Sequence, residues 1–261
     1  MPDGMHFEMH ADLYGEARPP YPVELWNTVR DLGVLEPGCS AVDLGAGTGQ
    51  ATGHLLEAGM HVTAVEPGPQ LAARIRTAYP AATVVQERAE TVTLPDRSFD
   101  LAVAATAIHW MNLDVVLPKI HGWLRPSGLF LVWRNVFGDP SAVPTPFRER
   151  VAQIVADRDS APRARNAEDL AETSFAVTRT SLFSLESTHT YRWSMELDQH
   201  QVHRLFTTFS DWSPAEVERA ASAAADLGGR VIESYASWLI VTRRQARPTR
   251  STPTSRAPSR S

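Results

Sequence analysis

Three glycines at alternate positions close the run Val42-Asp43-Leu44-Gly45-Ala46-Gly47-Thr48-Gly49. A turn without Cβ atoms at the start of a helix lets a ligand lie directly on backbone N–H groups. A second apolar run, His61-Val62-Thr63-Ala64-Val65, ends in Glu66-Pro67, which puts a carboxylate 21 positions after Gly45. At the tip of the strand next to the loop, such a carboxylate can accept hydrogen bonds from a ribose diol. Loop and carboxylate together point to a nucleoside-containing cofactor. The spacing is G-x-G-x-G, whereas a dinucleotide fold carries G-x-G-x-x-G. An NAD-dependent oxidoreductase nevertheless stays open as an alternative on the motif alone. Asp43, inside the strand, is poorly placed for a pyrophosphate and well placed to oppose a cationic amino-acid portion or to hold the loop.

A second group of residues follows another apolar run, Phe99 to Ala105: Thr106-Ala107-Ile108-His109-Trp110-Met111-Asn112. His109 can act as a proton acceptor near neutral pH, and equally as a residue that only orients or packs. His200 and His203 are spaced as a helical pair but lack a third ligand nearby, so no metal site is expected. Aromatic faces stabilise cations, which makes Trp110, Trp133, Trp193 and Trp212 candidates to wall an apolar pocket, although most tryptophans belong to cores.

The run Val42–Gly49 resembles the first motif, V-D-L-G-x-G-x-G, of the class I S-adenosylmethionine-dependent methyltransferases. Ala89-Glu90 followed by Leu94-Pro95-x-x-Ser98-Phe99-Asp100 is similar to a second element of that family. Thr106–Asn112 resembles the Q-A-x-H-W-F-D segment of a small-molecule subgroup that includes trans-aconitate-type enzymes, with Thr106, Met111 and Asn112 replacing Gln, Phe and Asp. Tyr14-x-x-x-Arg18-Pro19-Pro20-Tyr21-Pro22 is similar to the Y-x-x-x-R-P-x-Y-P arm of the same subgroup, and the resemblance runs from about Tyr14 to Arg243.

The resemblance implies S-adenosyl-L-methionine as cofactor and a small-molecule acceptor, methylated on oxygen or carbon. It places Gly45, Ala46, Gly47, Gly49, Glu66 and Pro67 against the cofactor, with Asp43 beside them, Ala89 and Glu90 toward the adenine, and Ala105 and Thr106 at the end of the fourth strand. Arg18 would pair with the cofactor carboxylate. Tyr14 and Tyr21 would line the substrate entrance. Trp110, Trp133, Phe209 and Trp212 would contact the acceptor, and His109 would be its base.

These residues need elements to carry them. Strand–helix alternation from Ser40 to Val136 predicts a Rossmann-like, doubly wound α/β sheet of seven strands, mainly parallel. The expected helices are Val23–Leu32, Gln50–Ala58, Pro69–Tyr79 and Leu113–Leu124. The expected strands are Ser40–Leu44, His61–Glu66, Ala81–Gln86, Phe99–Ala105 and Leu129–Val136. Beyond Asn135 the rhythm changes: helices at Phe147–Asp157, Asp198–Phe209 and Pro214–Leu227, with strands at Phe183–Tyr191 and Val231–Thr242. Helices inserted so late would cap the strand ends. The organisation expected is thus a lid arm over 1–22, a methyltransferase domain over 23–244 with cap elements at about 137–228, and a disordered tail over 245–261.

Composition narrows the partners. The net charge is −5, yet Arg243 to Ser261 holds six arginines and no acid, leaving −11 on the rest. So acidic a body disfavours nucleic acid, although a nucleic-acid methyltransferase remains an alternative through the basic tail. No run of 18 apolar residues is present, so no membrane span is expected. The first residues carry acids and no apolar stretch, which argues against a secretory signal. With one cysteine, Cys39, a cytoplasmic protein is the simplest expectation. Oligomeric state is not legible.

Overall fold

The computed structural model describes residues 17–158 and 170–246. Its centre is one seven-stranded sheet. In chain order the strands are β1 (Ser40–Leu44), β2 (His61–Val65), β3 (Thr83–Val85), β4 (Phe99–Ala105), β5 (Leu124–Phe137), β6 (Phe183–Asp198) and β7 (Arg230–Arg244). In space they lie β3-β2-β1-β4-β5-β7-β6. The first five are parallel, and β7 enters antiparallel between β5 and β6. The mainly parallel α/β fold read from the sequence is therefore the fold observed.

Parallel strands buried on both faces read as unbroken apolar runs, and β4 illustrates this. Leu101, Ala102, Val103 and Ala104 are all fully buried. On one face, α1 (Val23–Asp31) and α2 (Gln50–Glu57) pack Leu25, Trp26, Val29 and Leu55 against Leu101, Val103, Trp133 and Leu239. On the other, α4 (Leu113–Trp123) sets Val116, Leu117, Ile120 and Trp123 against Ala102, Val132 and Ile240. Each such aliphatic side chain removed from water contributes roughly 1.5–3 kcal/mol. Between these helices α3 (Pro69–Ala78) begins with Pro at its first position, where the missing N–H costs nothing.

Three helices build a separate apolar cluster. These are α5 (Pro146–Ala156), α7 (Gln199–Thr207) and α8 (Pro214–Asp226), whose Phe147, Ile154, Leu205, Phe206, Val217 and Ala224 pack together beside the long ends of β5, β6 and β7. Their starts are well defined: Asp198 and Ser213 each form a reciprocal capping box with the residue three positions on, Gln201 and Glu216.

The sequence reading differs from the structure in four places. A helix, α6 (Leu170–Thr178), occupies what read as loop. Its Ala, Ser and Thr give it almost no apolar periodicity, and it buries Thr173, Ser174 and Val177 while exposing Phe175. Strand β6 continues past Tyr191 to Asp198, because β7 supplies backbone partners as far as Arg230. Strand β5 begins at Leu124, where a helix end and turn were expected; Phe99 pairs with Leu124 and Leu101 with Leu129, so the intervening residues form an irregularity inside the strand. Ordered chain also extends beyond Arg244, since the Gln245 N–H donates to the Leu182 carbonyl at 2.9 Å. The rest of the expected tail, 247–261, lies outside the described residues.

Among the described residues no helix is long and apolar enough to cross a membrane, and no cluster of three or more His, Cys, Asp or Glu is arranged to hold a metal ion.

Candidate active site

Register alignment brings the ends of β1, β2 and β4 level, with Leu44 opposite Val65 and Asp43 opposite Val103. Past those ends lies a cavity of about 620 Å³. The glycine loop forms its floor, and the three glycines are there for three different reasons. Gly45 has φ 67°, and a Cβ on it would strike the Ala107 Cβ at 2.6 Å, so this glycine lets two loops close-pack. Gly49 has φ 85° and caps α2; its Cβ would strike the Tyr79 ring at 2.6 Å. Gly47, at φ 59°, is different, since a Cβ there would meet only the Gly45 carbonyl at 4.0 Å. The space above Gly47 is the cavity itself, and a ligand can lie on its backbone.

Glu66 stands beside that space, 5% exposed. Its Oε2 accepts the Gly47 N–H at 2.8 Å and its Oε1 accepts the Gly68 N–H at 2.9 Å. The two backbone donors fix the plane of the carboxylate. The loop is also tied to β2 directly, through the N–H groups of Gly45 and Ala46 to the Val65 carbonyl at 2.8 and 3.2 Å.

Asp43 does not line the cavity. It is fully buried, and its Oδ2 accepts the Thr52 hydroxyl at 2.7 Å. Burial pushes its carboxyl up to about 6, against the lowering effect of Thr52. Of its two expected uses, holding the loop onto α2 is the one the geometry supports.

Ala89 and Glu90 do line the cavity, with Pro67 and Leu71 on the same side. Burial raises the Glu90 carboxyl, but the Asn112 N–H at 2.9 Å and Arg88 at 3.4 Å outweigh it and hold the group below the usual carboxylate range. Thr106, at the end of β4, has φ 58°, a left-handed conformation that costs a β-branched residue on the order of 1–3 kcal/mol. It is held there by its N–H to the Trp133 carbonyl at 2.7 Å and by the Tyr21 hydroxyl, 3.0 Å from its Oγ1. Ala105 and Thr106 both face the cavity.

The arm residues Arg18, Pro19 and Tyr21 close one side. Asn135 fixes them, its Nδ2 donating to the carbonyls of Pro19 and Pro20 at 3.2 Å each. Arg18 donates to the Thr208 carbonyl at 3.0 Å and lies 4.7 Å over the Phe209 ring, which joins the arm to α7 and its following turn. Tyr14 lies outside the described residues.

Besides Asp43, four expected site residues fall elsewhere. Gly49 packs on Tyr79 and is not part of the lining. Trp133 is fully buried in the sheet core, edge-on to Tyr21 and Trp26 at 5.8 and 5.4 Å, because its position on β5 lies beneath α1. Trp212 packs on Phe206 at 4.4 Å and beside Arg158, inside the three-helix cluster. His109 is likewise absent from the lining. It sits in a short 3-10 turn against Trp110, and its Nδ1 accepts from Arg134 at 3.3 Å. Burial first, then the charges of Arg134 and Arg18, drive its pKa down to about 3. An imidazole so weakly basic, with one nitrogen already engaged, is a poor general base. Trp110, Phe209 and Tyr21 do line the cavity, Trp110 with 46% of its surface exposed.

Several lining residues were not singled out from the sequence: Gln50, Met111, Asn135, Phe137, Leu205 and Tyr235. Met111 lies inside the Thr106–Asn112 segment, and Asn135 lies in the strand expected at Leu129–Val136. Phe137 and Tyr235 carry no local signal, since they meet only through the antiparallel pairing of β5 and β7.

Fold and loop together define a Rossmann-like sheet with a cleft across its strand ends. Residues 42–132 match the family described as a methyltransferase domain. An uncharacterized methyltransferase of Mycobacterium tuberculosis is 37% identical over 134 residues, 50% of this chain and 53% of that one, so the match spans about half the length of that relative. An uncharacterized methyltransferase of Schizosaccharomyces pombe is 25% identical over 229 residues, 86% of each chain. A solved structure from Anaeromyxobacter dehalogenans, presented as a candidate type II methyltransferase, superposes with a TM-score of 0.61 at 26% identity, covering 87% of this chain and 96% of the other. The [4+2]-cyclase SpnF has the same fold, with a TM-score of 0.56 at 17% identity over 94% and 95% of the two chains. The fold thus hosts more than one chemistry, and function has to be argued from the site.

Proposed function

We propose that this protein transfers a methyl group from S-adenosyl-L-methionine to a small-molecule acceptor inside the cavity. The observation that carries the reading is the open space over Gly47, bounded by the Glu66 carboxylate whose two oxygens are fixed by loop N–H groups. Glu66 would accept the ribose hydroxyls. Ala46, Gly47 and Pro67 would lie along the cofactor, Ala89 and Glu90 beside the adenine, and Arg18 by its carboxylate. When bound, the cofactor supplies an already activated methyl on a sulfonium, so the chain's own residues have to align, enclose and exclude water.

The enclosing wall suits a small acceptor. Trp110, Phe137, Leu205 and Phe209 make it largely apolar, and the arm held by Asn135 narrows the entrance. The body outside the C-terminal arginine-rich segment carries a net charge of −11, which favours a small molecule over a nucleic acid. Among the described residues that line the acceptor end there is no histidine or carboxylate. An acceptor that arrives already nucleophilic is therefore the best match, and His109 is kept as a packing partner of Trp110.

The test is a transfer assay with cofactor labelled in the methyl group. The full chain is incubated separately with a low-mass metabolite extract, total RNA and a protein extract. Label entering the low-mass fraction only is the expected result; label entering RNA or protein instead would overturn the small-molecule reading.

A further inference from the structure

The two ends of the cavity are lined by loops that are distant in sequence. Arg88, Ala89 and Glu90 line the end assigned to the adenine, and Ala107, Trp110 and Met111 line it toward the acceptor. The second group sits on a short turn whose own bonds reach only three residues. The Trp110 N–H donates to the Ala107 carbonyl at 3.0 Å and the Met111 N–H to the Ile108 carbonyl at 3.2 Å. Trp110 leaves 46% of its surface exposed, so much of its apolar area contributes nothing to holding the turn. Segments with little buried apolar surface open at the lowest free energies.

Glu90 bridges the two. Its Oε1 accepts the Asn112 N–H at 2.9 Å, immediately after the turn, and its carbonyl accepts from the Lys119 ammonium at 2.8 Å. Asn112 caps α4, and Lys119 lies further along that helix. The Ala89–Glu90 loop is therefore tied to α4 by one side-chain and one main-chain bond, which span 22 and 29 residues. An N–H bond to a carboxylate is stronger than one between neutral groups. The other carboxylate oxygen lies 3.4 Å from Arg88, so both are engaged within the chain and the group serves to join loops.

We propose that Glu90 is a positioning residue that couples the two ends of the cavity: a cofactor seated against Ala89 fixes Glu90, and Glu90 fixes the turn carrying Trp110 and Met111. The acceptor wall is then complete only once the cofactor is in place. This rests on the methyl-transfer reading of the cavity and adds an order to it, cofactor before acceptor. Coupling between sites is reciprocal, so an acceptor against Trp110 tightens the cofactor by the same factor. The link runs through the N–H of Asn112, which is not part of the cavity wall.

The experiment uses the full chain and two variants at one position. Asn112→Pro deletes the N–H that reaches Glu90, where a φ of −78° suits proline and the preceding Met111, at ψ 144°, tolerates it. Asn112→Ala loses the same capping side chain, which accepts the Asp114 N–H at 3.1 Å, but keeps its own N–H. Calorimetry first establishes saturation with S-adenosylhomocysteine, and hydrogen exchange read by mass spectrometry over residues 107–111 then follows the turn. Saturation is expected to slow exchange there by roughly 5- to 150-fold in wild type and Asn112→Ala, the span of ordinary coupling between sites. In Asn112→Pro it is expected to change nothing. Equal protection in Asn112→Pro, none in wild type, or a loss in Asn112→Ala that matches Asn112→Pro would overturn the proposal. Should Asn112→Pro not fold, Glu90→Ala removes the accepting oxygen, and Glu90→Gln, whose amide oxygen still accepts, is its control. Equal protection in that pair would overturn the proposal in the same way. Failure of the underlying reading shows earlier, as wild type that gives no binding heat with S-adenosylhomocysteine, and takes the proposal with it.

Discussion

At the scale of single residues, the glycine loop separates roles that a motif merges. Gly47 faces empty space and Gly49 faces the Tyr79 ring, so the two alanine variants should fail in opposite ways. Gly49→Ala forces a Cβ into the ring at a left-handed φ and should cost roughly 1–3 kcal/mol, or several degrees in Tm for a domain of this size. Gly47→Ala shares the left-handed strain, at φ 59°, but meets no side chain, so it should melt above Gly49→Ala yet lose more cofactor affinity, since its Cβ enters the ligand's space. Thermal melts of the two variants with and without S-adenosylhomocysteine check this. Equal losses of stability would contradict the additional clash assigned to Gly49. The sequence located residues that line the cavity wherever they are close in sequence or on neighbouring parallel strands. Loop and carboxylate are set by neighbours in sequence and by parallel strands at short spacing. It did poorly for His109, Trp133 and Trp212, where residue type suggested function but burial decided otherwise. His109 is a weak base because of burial first and then Arg134 and Arg18, neither of which is near it in sequence.

At the scale of elements, the cavity is closed by pieces that belong to different parts of the chain: the arm, the end of β5, β7, and the turn after α7. Asn135 links three of them, bonding Pro19 and Pro20 on one side and Ser237 on the other. Asn135→Ala removes both donors to the arm. Its expected effect is faster release of S-adenosylhomocysteine and an affinity loss of about tenfold, in line with two backbone carbonyls losing their partners, while the sheet stays folded. Stopped-flow displacement measures it, and an unchanged off-rate would mean that the arm does not retain ligand. Elements with strong apolar periodicity or clear turn residues were legible in the sequence almost to the residue, as with β1, β2, β4 and the capped α8. Elements whose partners are remote were not. β6 is an exposed edge whose length is set by β7, and α6 is held by packing against sheet strands and α4, with little propensity of its own. Tyr235 and Phe137 were invisible for the same reason, being brought together by strand pairing across about a hundred residues.

At the scale of the whole molecule, two buried acids should shape stability against pH. Glu233 is pushed up to about 7, chiefly by burial and against the lowering pull of Arg148, and Asp43 up to about 6. Between the ordinary carboxylate range and those values, the native chain holds protons that the unfolded chain has released. Stability therefore falls as pH rises through this window. Glu233 alone should account for a loss of roughly 2–3 kcal/mol between pH 4.5 and pH 8. Glu233→Gln, which cannot ionise, should flatten the profile above about pH 6 and leave the Asp43 share of the fall below it; denaturant melts giving parallel profiles for the two proteins would contradict the burial assigned to this group. The same molecule-wide view fixes what matters most. The Gly47 cradle and the Glu66 carboxylate face one cavity across the strand ends, and the account stands on a sulfonium nucleoside occupying it. Calorimetric titration of S-adenosyl-L-methionine into wild type and Glu66→Ala tests this most directly. The predicted result is one saturable site in wild type, displaced by S-adenosylhomocysteine but not by NAD, and weakened in Glu66→Ala by roughly 1.5–3 kcal/mol, the range for a hydrogen bond to a charged group. No binding to wild type, or equal binding to Glu66→Ala, would contradict it.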